Sequence, residues 1–342
     1  MIRKTTININ YANKKKLQIL DSIIVESKRV IKCFIHILWQ QENFSSKFID
    51  FKVETWLSAR MLQNLGKQAL EVVKSQRRKK QKVMPIYKAD TIEFDSRFIN
   101  IQFDNNSYDI WIKLTSIGHK INLCLPSKKH KHFLKFKNWR LKNSIKLRRI
   151  NYNYFIDLYF EKEEPVKKEQ GKVIGCDIGY KKLLIDSENN KYDDGLEKIY
   201  TKISNKKQGS KAFDRAIIER NNLINQSINK MNLFNIKEIV VEDLRNVKHK
   251  SKKRILKIFN IKLQRWSYPK VLNKLSRRCE EEAVLFTKIN PAFTSQQCSS
   301  CGQIDKKSRK LEIYQCSCGL LIDADYNAAI NISHMGVYSP HA

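Results

Sequence analysis

Apolar positions recur at helical spacing from about Lys14 to Lys80. Leu17, Leu20, Ile24, Ile31, Ile35 and Leu38 mark one helical run, and Trp56, Leu57, Met61, Leu65, Leu70 and Val73 mark a second. The second run ends in the basic segment Arg77-Arg78-Lys79-Lys80-Gln81-Lys82. A short alternating stretch at Thr5–Asn10 precedes both and reads as a strand. From Met84 to Glu163 the period switches to two. Ile99–Phe103, Asp109–Leu114, Lys120–Leu125 and Tyr154–Phe160 read as short strands, with Asp/Asn turn chemistry at Asp104–Ser107. Together with Thr5–Asn10 these strands suit a small barrel interrupted by a helical insertion.

Lys162–Gln170 reads as a charged linker containing Pro165, and the pattern changes again after it. Lys172–Ile178 is apolar enough for a buried strand. Gly179-Tyr180 turn the chain, Lys182–Asp186 returns, and a third short strand is expected near Lys191–Asp193. Phe213, Ala216, Ile217, Leu223, Ile224, Ile228 and Met231 share one face of a helix, and Lys237–Val241 is again a buried strand. Three meandering strands, a helix and a fourth strand is the order of an RNase H-type core. A basic run, Lys248–Arg254, precedes a helical stretch through Glu282 that includes Trp266, Leu272 and Leu275. Val284–Ile289 then reads as a strand ended by Asn290-Pro291.

The composition narrows the partner. Sixty-six Lys and Arg face 34 Asp and Glu, a formal net charge of +32 over 342 residues. Codon bias toward Lys, Asn and Ile leaves Asp and Glu available, so it does not produce this imbalance. A polyanion is the natural partner, because each neutralised phosphate releases condensed counterions. Lys128–Lys137, basic with Phe and His interleaved, and Arg148-Arg149 suit backbone contact with base stacking, or an exposed sheet edge. No stretch is long and apolar enough to span a bilayer, and the first residues are not a signal peptide, so a soluble, cytoplasmic protein is expected.

Two chemistries stand out. Cys298-Ser-Ser-Cys301 and Cys316-Ser-Cys318 are separated by 14 residues, each pair followed by a glycine. That spacing suits a structural zinc knuckle, although the second pair is one residue short of the commoner Cys-x-x-Cys. Cys33, Cys124, Cys176 and Cys279 are isolated and read as packed thiols. Separately, the apolar strands carry acids at their ends. Asp177 follows Val-Ile-Gly-Cys, Glu242 follows Ile-Val-Val, and Asp323-Ala-Asp325 opens a helix with Asn327-Ala-Ala. Each has a plain alternative in turn or cap chemistry. As a set they suit magnesium-dependent phosphodiester hydrolysis, in which carboxylates from different strands hold two divalent ions. Spacing alone does not rank Asp323 against Asp325.

Taken jointly, Gly175-Cys-Asp177-Ile-Gly179, Ile239-Val-Val-Glu242-Asp-Leu244, Asn290-Pro291-Ala-Phe-Thr294-Ser295-Gln296, both cysteine pairs with Gly302 and Gly319, and Asp323-Ala-Asp325-Tyr-Asn327-Ala-Ala resemble the insertion-sequence TnpB (OrfB) family. That family is related to the compact type V CRISPR effectors. The matching motifs span residues 172 to 331, and the N-terminal half agrees in size and layout. The resemblance implies a multidomain α/β protein. A wedge-type β-barrel (1–10 and 84–165) would carry a helical recognition insert (11–83). A RuvC-like, RNase H-fold nuclease domain (166–295 and 323–335) would carry a zinc-binding insert (296–322), with 336–342 as a tail.

The resemblance further implies catalytic, magnesium-binding acids at Asp177, Glu242 and Asp325, preferring Asp325 over Asp323, and zinc ligands at Cys298, Cys301, Cys316 and Cys318. The implied activity is RNA-guided DNA cleavage by a transposon-encoded endonuclease. A guide RNA transcribed from the element would read double-stranded target DNA beside a short flanking motif. The alternatives are a nuclease-inactive, RNA-guided DNA-binding repressor and a transposase or nuclease that needs no RNA.

Overall fold

The computed structural model describes residues 1–42, 52–79, 83–105, 107–180, 182–192, 195–244 and 266–338. The chain divides into two compact units, 1–163 and 164–342.

In the first unit, β1 (Ile2–Asn8) leads into α1 (Lys14–Gln40). Asn13 caps this helix by accepting a hydrogen bond from the Lys16 amide at 3.0 Å. Its stripe of Leu20, Ile23, Ile24, Ile31, Phe34, Ile35 and Leu38 is buried. The second helix, α2 (Ala59–Arg77), starts later than the apolar pattern suggests, because Ser58 caps it and leaves Trp56 and Leu57 ahead of it. Five further strands and a short helix complete the first half: β2 (Thr91–Phe94), β3 (Ile99–Asn105), β4 (Tyr108–Thr115), β5 (Asn122–Ser127), α3 (Lys131–Leu134) and β6 (Arg140–Ile150). The last strand is β7 (Asn153–Glu161).

The ladders join these strands into two sheets, β1-β7-β6-β2 and β3-β4-β5, both antiparallel, rather than one hydrogen-bonded ring. Both sheets and the two long helices share one apolar core. Strand β6 escapes the sequence pattern because five of its eleven residues are basic. Its Arg148 pairs with buried Asp157 at 2.7 Å, and Arg149 donates to Asp90 at 2.8 Å and also to Asp21. These two arginines hold the sheet together. The aromatics of the 128–137 run are likewise structural. Phe136 stacks on Phe160 at 5.3 Å and Phe133 meets the same ring edge-on, so neither is available to a nucleobase.

The second unit is built on a four-stranded sheet ordered β11-β10-β8-β9. Its strands are β8 (Lys172–Asp177), β9 (Ile185–Asp186), β10 (Ile236–Glu242) and β11 (Leu285–Ile289). β10 runs parallel to both neighbours, and β9 is antiparallel to β8. The expected return strand shrinks to two residues. The third strand is reduced to a single bridge, Ile185 to Lys191, with Asp193 outside the described residues. Two helices follow, α4 (Leu196–Ser204) and α5 (Lys211–Asn229). The first was not read from the sequence, although Leu196, Ile199, Tyr200 and Ile203 have helical spacing and are buried.

The basic run Lys248–Arg254 and the helical stretch before Trp266 lie outside the described residues, as do Lys80 and Lys82. Helix α6 (Tyr268–Glu281) begins with Pro269 in its first turn. Three short antiparallel strands, β12 (Arg309–Lys310), β13 (Ile313–Gln315) and β14 (Leu321–Asp323), form a separate small sheet. The final helix, α7 (Ala324–Tyr338), lies across the main sheet. Its approach needs two glycines. A Cβ on Gly175 of β8 would sit 2.1 Å from the Ala329 carbonyl oxygen and 2.3 Å from the Ser333 amide, and one on Gly336 would meet Val240 at 2.3 Å. No helix among the described residues is long and apolar enough to cross a membrane.

Candidate active site and cysteine cluster

Parallel strands β8 and β10 end side by side, and each ends on an acid. Asp177 closes β8, Glu242 closes β10, and Asp325 lies in the first turn of α7 as that helix starts beside them. All three line one cavity of about 660 Å³. Gly179, Tyr180, Lys182, Leu244, Trp266, Thr294 and Arg309 also line it.

The two acids of the Asp-Ala-Asp run have separate jobs. Asp323 is the N-cap of α7. Its Oδ1 accepts hydrogen bonds from the Asp325 amide at 2.9 Å and the Tyr326 amide at 3.2 Å. Asp325 faces the cavity instead, where Arg309 donates to its Oδ1 at 2.7 Å and the Lys182 ammonium stands 3.4 Å from its Oδ2. Glu242 accepts from the Thr294 hydroxyl.

The surroundings shift Asp177 and Glu242 upward. Burial, followed by the charges of Glu242 and Asp325, pushes Asp177 up to about 8, against the opposing pull of Arg309. Burial also raises Glu242, with Thr294 and Arg309 working the other way. Buried carboxylates that resist ionisation, as Asp177 and Glu242 do, have the donor chemistry for a hard divalent cation, whose charge would favour their ionised form.

Residues that the sequence reading left without a role fix this arrangement. The Trp266 indole donates to the Gly179 carbonyl at 2.9 Å, two residues past Asp177. The Tyr268 hydroxyl donates to the Glu242 carbonyl and accepts from the Leu244 amide at 3.0 Å, bracing the end of β10. Two buried amides of α7, one helical turn apart, tie down the loop that carries Thr294. Asn327 accepts from the Ser299 amide at 3.0 Å and donates to the Gln297 carbonyl at 2.8 Å. Asn331 donates to the carbonyls of Thr294 at 2.9 Å and Gln297 at 2.7 Å. The pairing of Asn331 with Thr294, and of Asn327 with Ser299 and Gln297, is a signal that spacing alone does not display.

The four paired cysteines also converge. Cys298 and Cys318 sulfurs are 3.7 Å apart, Cys301 and Cys316 sulfurs 3.6 Å, and all four lie within 4.8 Å of one another. A tetrahedral Zn²⁺ with Zn–S near 2.3 Å requires sulfur separations of roughly 3.8 Å, so the quartet fits zinc. The shortened Cys316-Ser-Cys318 pair is accommodated. Gly302 and Gly319 adopt φ of 76° and 95°, which lets each knuckle turn back. Among the described residues this is the one such group of metal-binding side chains.

Residues 268–332 match the family model described as Cas12f1-like, TNB domain. A Cas12f1 endodeoxyribonuclease of Sulfoacidibacillus thermotolerans is 39% identical over 97 residues, covering 28% of this chain and 21% of that protein. A625R of Paramecium bursaria Chlorella virus 1, whose name carries the word transposase, is 36% identical over 59 residues, covering 17% of this chain and 14% of that protein. Over these stretches the chain is similar to the TnpB-like compact type V effectors. Its alignments span only about a fifth of the length of the Cas12f1 relatives it matches. In fold, it is similar to Cas12f1 from a cryo-EM complex with single-guide RNA and target DNA. The TM-score is 0.57 at 16% identity, covering 94% of this chain and 80% of that one.

Proposed function

We propose that the chain is an RNA-guided DNA endonuclease that cuts phosphodiester bonds at Asp177, Glu242 and Asp325. The observation that carries this reading is the meeting of those three carboxylates in one cavity, at the ends of two parallel strands and the start of α7. Relatives named as endodeoxyribonucleases support the substrate class. The guide RNA and target DNA named for the structural neighbour support the partners. In this reading the second unit is a RuvC-like nuclease domain. The first unit serves as its wedge-type barrel with a helical recognition insert.

The three carboxylates would hold magnesium, which supplies an activated water and a counter-charge for the leaving oxygen when bound. The protein's own part is positional. Thr294 orients Glu242, Arg309 and Lys182 orient Asp325, and Trp266 and Tyr268 fix the ends of β8 and β10. Arg309 also places a guanidinium in the cavity, where it can meet a phosphate oxygen. The cysteine quartet would hold a structural zinc, shaping the small sheet from which Arg309 projects. The first unit and the basic runs would contact the guide scaffold and the heteroduplex through their backbones.

The test is reconstitution. The protein is expressed with the transcript flanking its gene, copurifying RNA is sequenced, and cleavage of a matched duplex is assayed with Mg²⁺. Guided cleavage that follows the guide sequence is the expected result. RNA binding by a folded protein without cleavage would sink the nuclease assignment.

A further inference from the structure

Lys182 lies on the short connection between β8 and β9, five residues past Asp177. Its ammonium is shared among three carboxylates from two other parts of the unit. Asp323 Oδ2 is at 2.9 Å, Asp325 Oδ2 at 3.4 Å and Glu312 Oε2 at 3.7 Å. The connection that delivers it is tightly built. A Cβ on Gly179 would lie 2.6 Å from the Lys182 carbonyl oxygen, and the Trp266 indole pins the Gly179 carbonyl. One side chain thus ties the loop after the first acid to the N-cap of α7, to the small sheet and to the third acid. Only one oxygen of Asp325 is held by Arg309, and Lys182 stands over the other.

We propose that Lys182 is a positioning residue for Asp325 that also sets how tightly the acid cluster takes a divalent ion. This rests on the reading of Asp177, Glu242 and Asp325 as a cation site. Lys182 restrains the third carboxylate through the neighbouring N-cap. Its fixed positive charge, in direct contact with that carboxylate, opposes a second cation at the same oxygen. The expected consequence is a trade. Removing the ammonium strengthens ion binding and slackens the geometry. Arginine, which keeps the charge, leaves the ion affinity near that of the parent protein.

Binding of Mn²⁺ to the zinc-loaded full chain, followed by electron paramagnetic resonance of the free ion, tests this. K182M and a second neutral variant, K182Q, are compared with K182R, with D177A and with the parent protein. The neutral variants are expected to bind Mn²⁺ about fivefold more tightly or better. In guided cleavage they should reach half-maximal rate at a correspondingly lower metal concentration, but with a lower maximal rate. K182R should track the parent isotherm. Neutral-variant isotherms that overlay the parent's, or that weaken together with K182R, would overturn the proposal and leave Lys182 as a structural tie. If D177A binds Mn²⁺ as the parent does, the cation-site reading itself falls, and the Lys182 proposal with it.

Discussion

The two candidate metal centres occupy neighbouring stretches of chain and are assembled in opposite ways. Every ligand of the cysteine quartet lies between residues 298 and 318, on two knuckles whose left-handed glycines turn the chain back on itself. Two of the sulfur pairs are already close to the separation a tetrahedral ion requires, and all four sulfurs lie within 4.8 Å of one another. The carboxylates come from three elements far apart in sequence, and they meet only because α7 can lie against β8 and β10. The quartet depends on local turns. The acid cluster depends on the packing of the whole unit, with Asp325 held by arginine and lysine and Glu242 by threonine. A local chelate therefore suits structure, whereas an assembled cluster of frustrated charges suits chemistry.

The comparison breaks most sharply at the acids. Asp177→Ala should lower guided cleavage by about three orders of magnitude or more while leaving target binding intact. Gel-shift and cleavage assays on one preparation separate the two. Loss of target binding in parallel with cleavage would make Asp177 a folding residue instead. The next largest effect lies in the quartet. Cys316→Ser, or zinc removal by chelator, should unfold the small sheet and release Arg309 from Asp325, since such sites draw their folding energy from the ion. Elemental analysis should give one zinc per chain for the parent and much less for the variant. The rest of the second unit should keep its core.

The dependence of the acid cluster on α7 can be tested without touching an acid. Gly175→Ala places a Cβ against backbone atoms of Ala329 and Ser333, which cannot turn aside, and should destabilise the unit by about 3 kcal/mol. Gly336→Ala meets the side chain of Val240, which can shift, and should cost about 1 kcal/mol. Denaturant midpoints of the two variants rank them. Equal losses would mean that α7 moves as a body rather than being seated on β8. Zinc content should be unchanged in both, which separates the two centres.

The acids were legible in the sequence because each ends or borders an apolar run, and strand ends are where parallel sheets present chemistry. The choice between Asp323 and Asp325 was not, because capping and cavity-facing roles differ only in what the carboxylate touches. Arg309 and Lys182 were hidden for the same reason: in a chain with 66 basic residues, two more carry no signal. Strand β6 was masked by its own arginines, which look like a nucleic-acid patch until Asp157, Asp90 and Asp21 appear beside them. The 128–137 run misled similarly, since aromatic residues among lysines read as stacking groups while Phe133 and Phe136 fill a core. Charge reports the partner class, but which charges meet that partner depends on long-range pairing.

The smallest expected effect is a pH dependence, and it has opposite signs at the two centres. With zinc on the cysteines and no cation at the acid cluster, burial and the neighbouring carboxylates push Asp177 up to about 8, against an ordinary value of 3.8. Between those values the folded chain holds a proton that the unfolded chain has released. The stability this group contributes is full below about pH 4 and is lost as pH rises through 8. Glu242 is shifted in the same direction. Added Mg²⁺ should therefore raise the melting midpoint by a few degrees, and by more at pH 8.5 than at pH 6, where the ion must first displace the proton. At the cysteine quartet, low pH protonates thiolates and weakens zinc, so acid should destabilise the small sheet. Thermal scans of zinc-loaded protein at both pH values, with and without Mg²⁺, read the acid cluster alone. A Mg²⁺ shift of equal size at both would mean that the carboxylates are not where the ion binds.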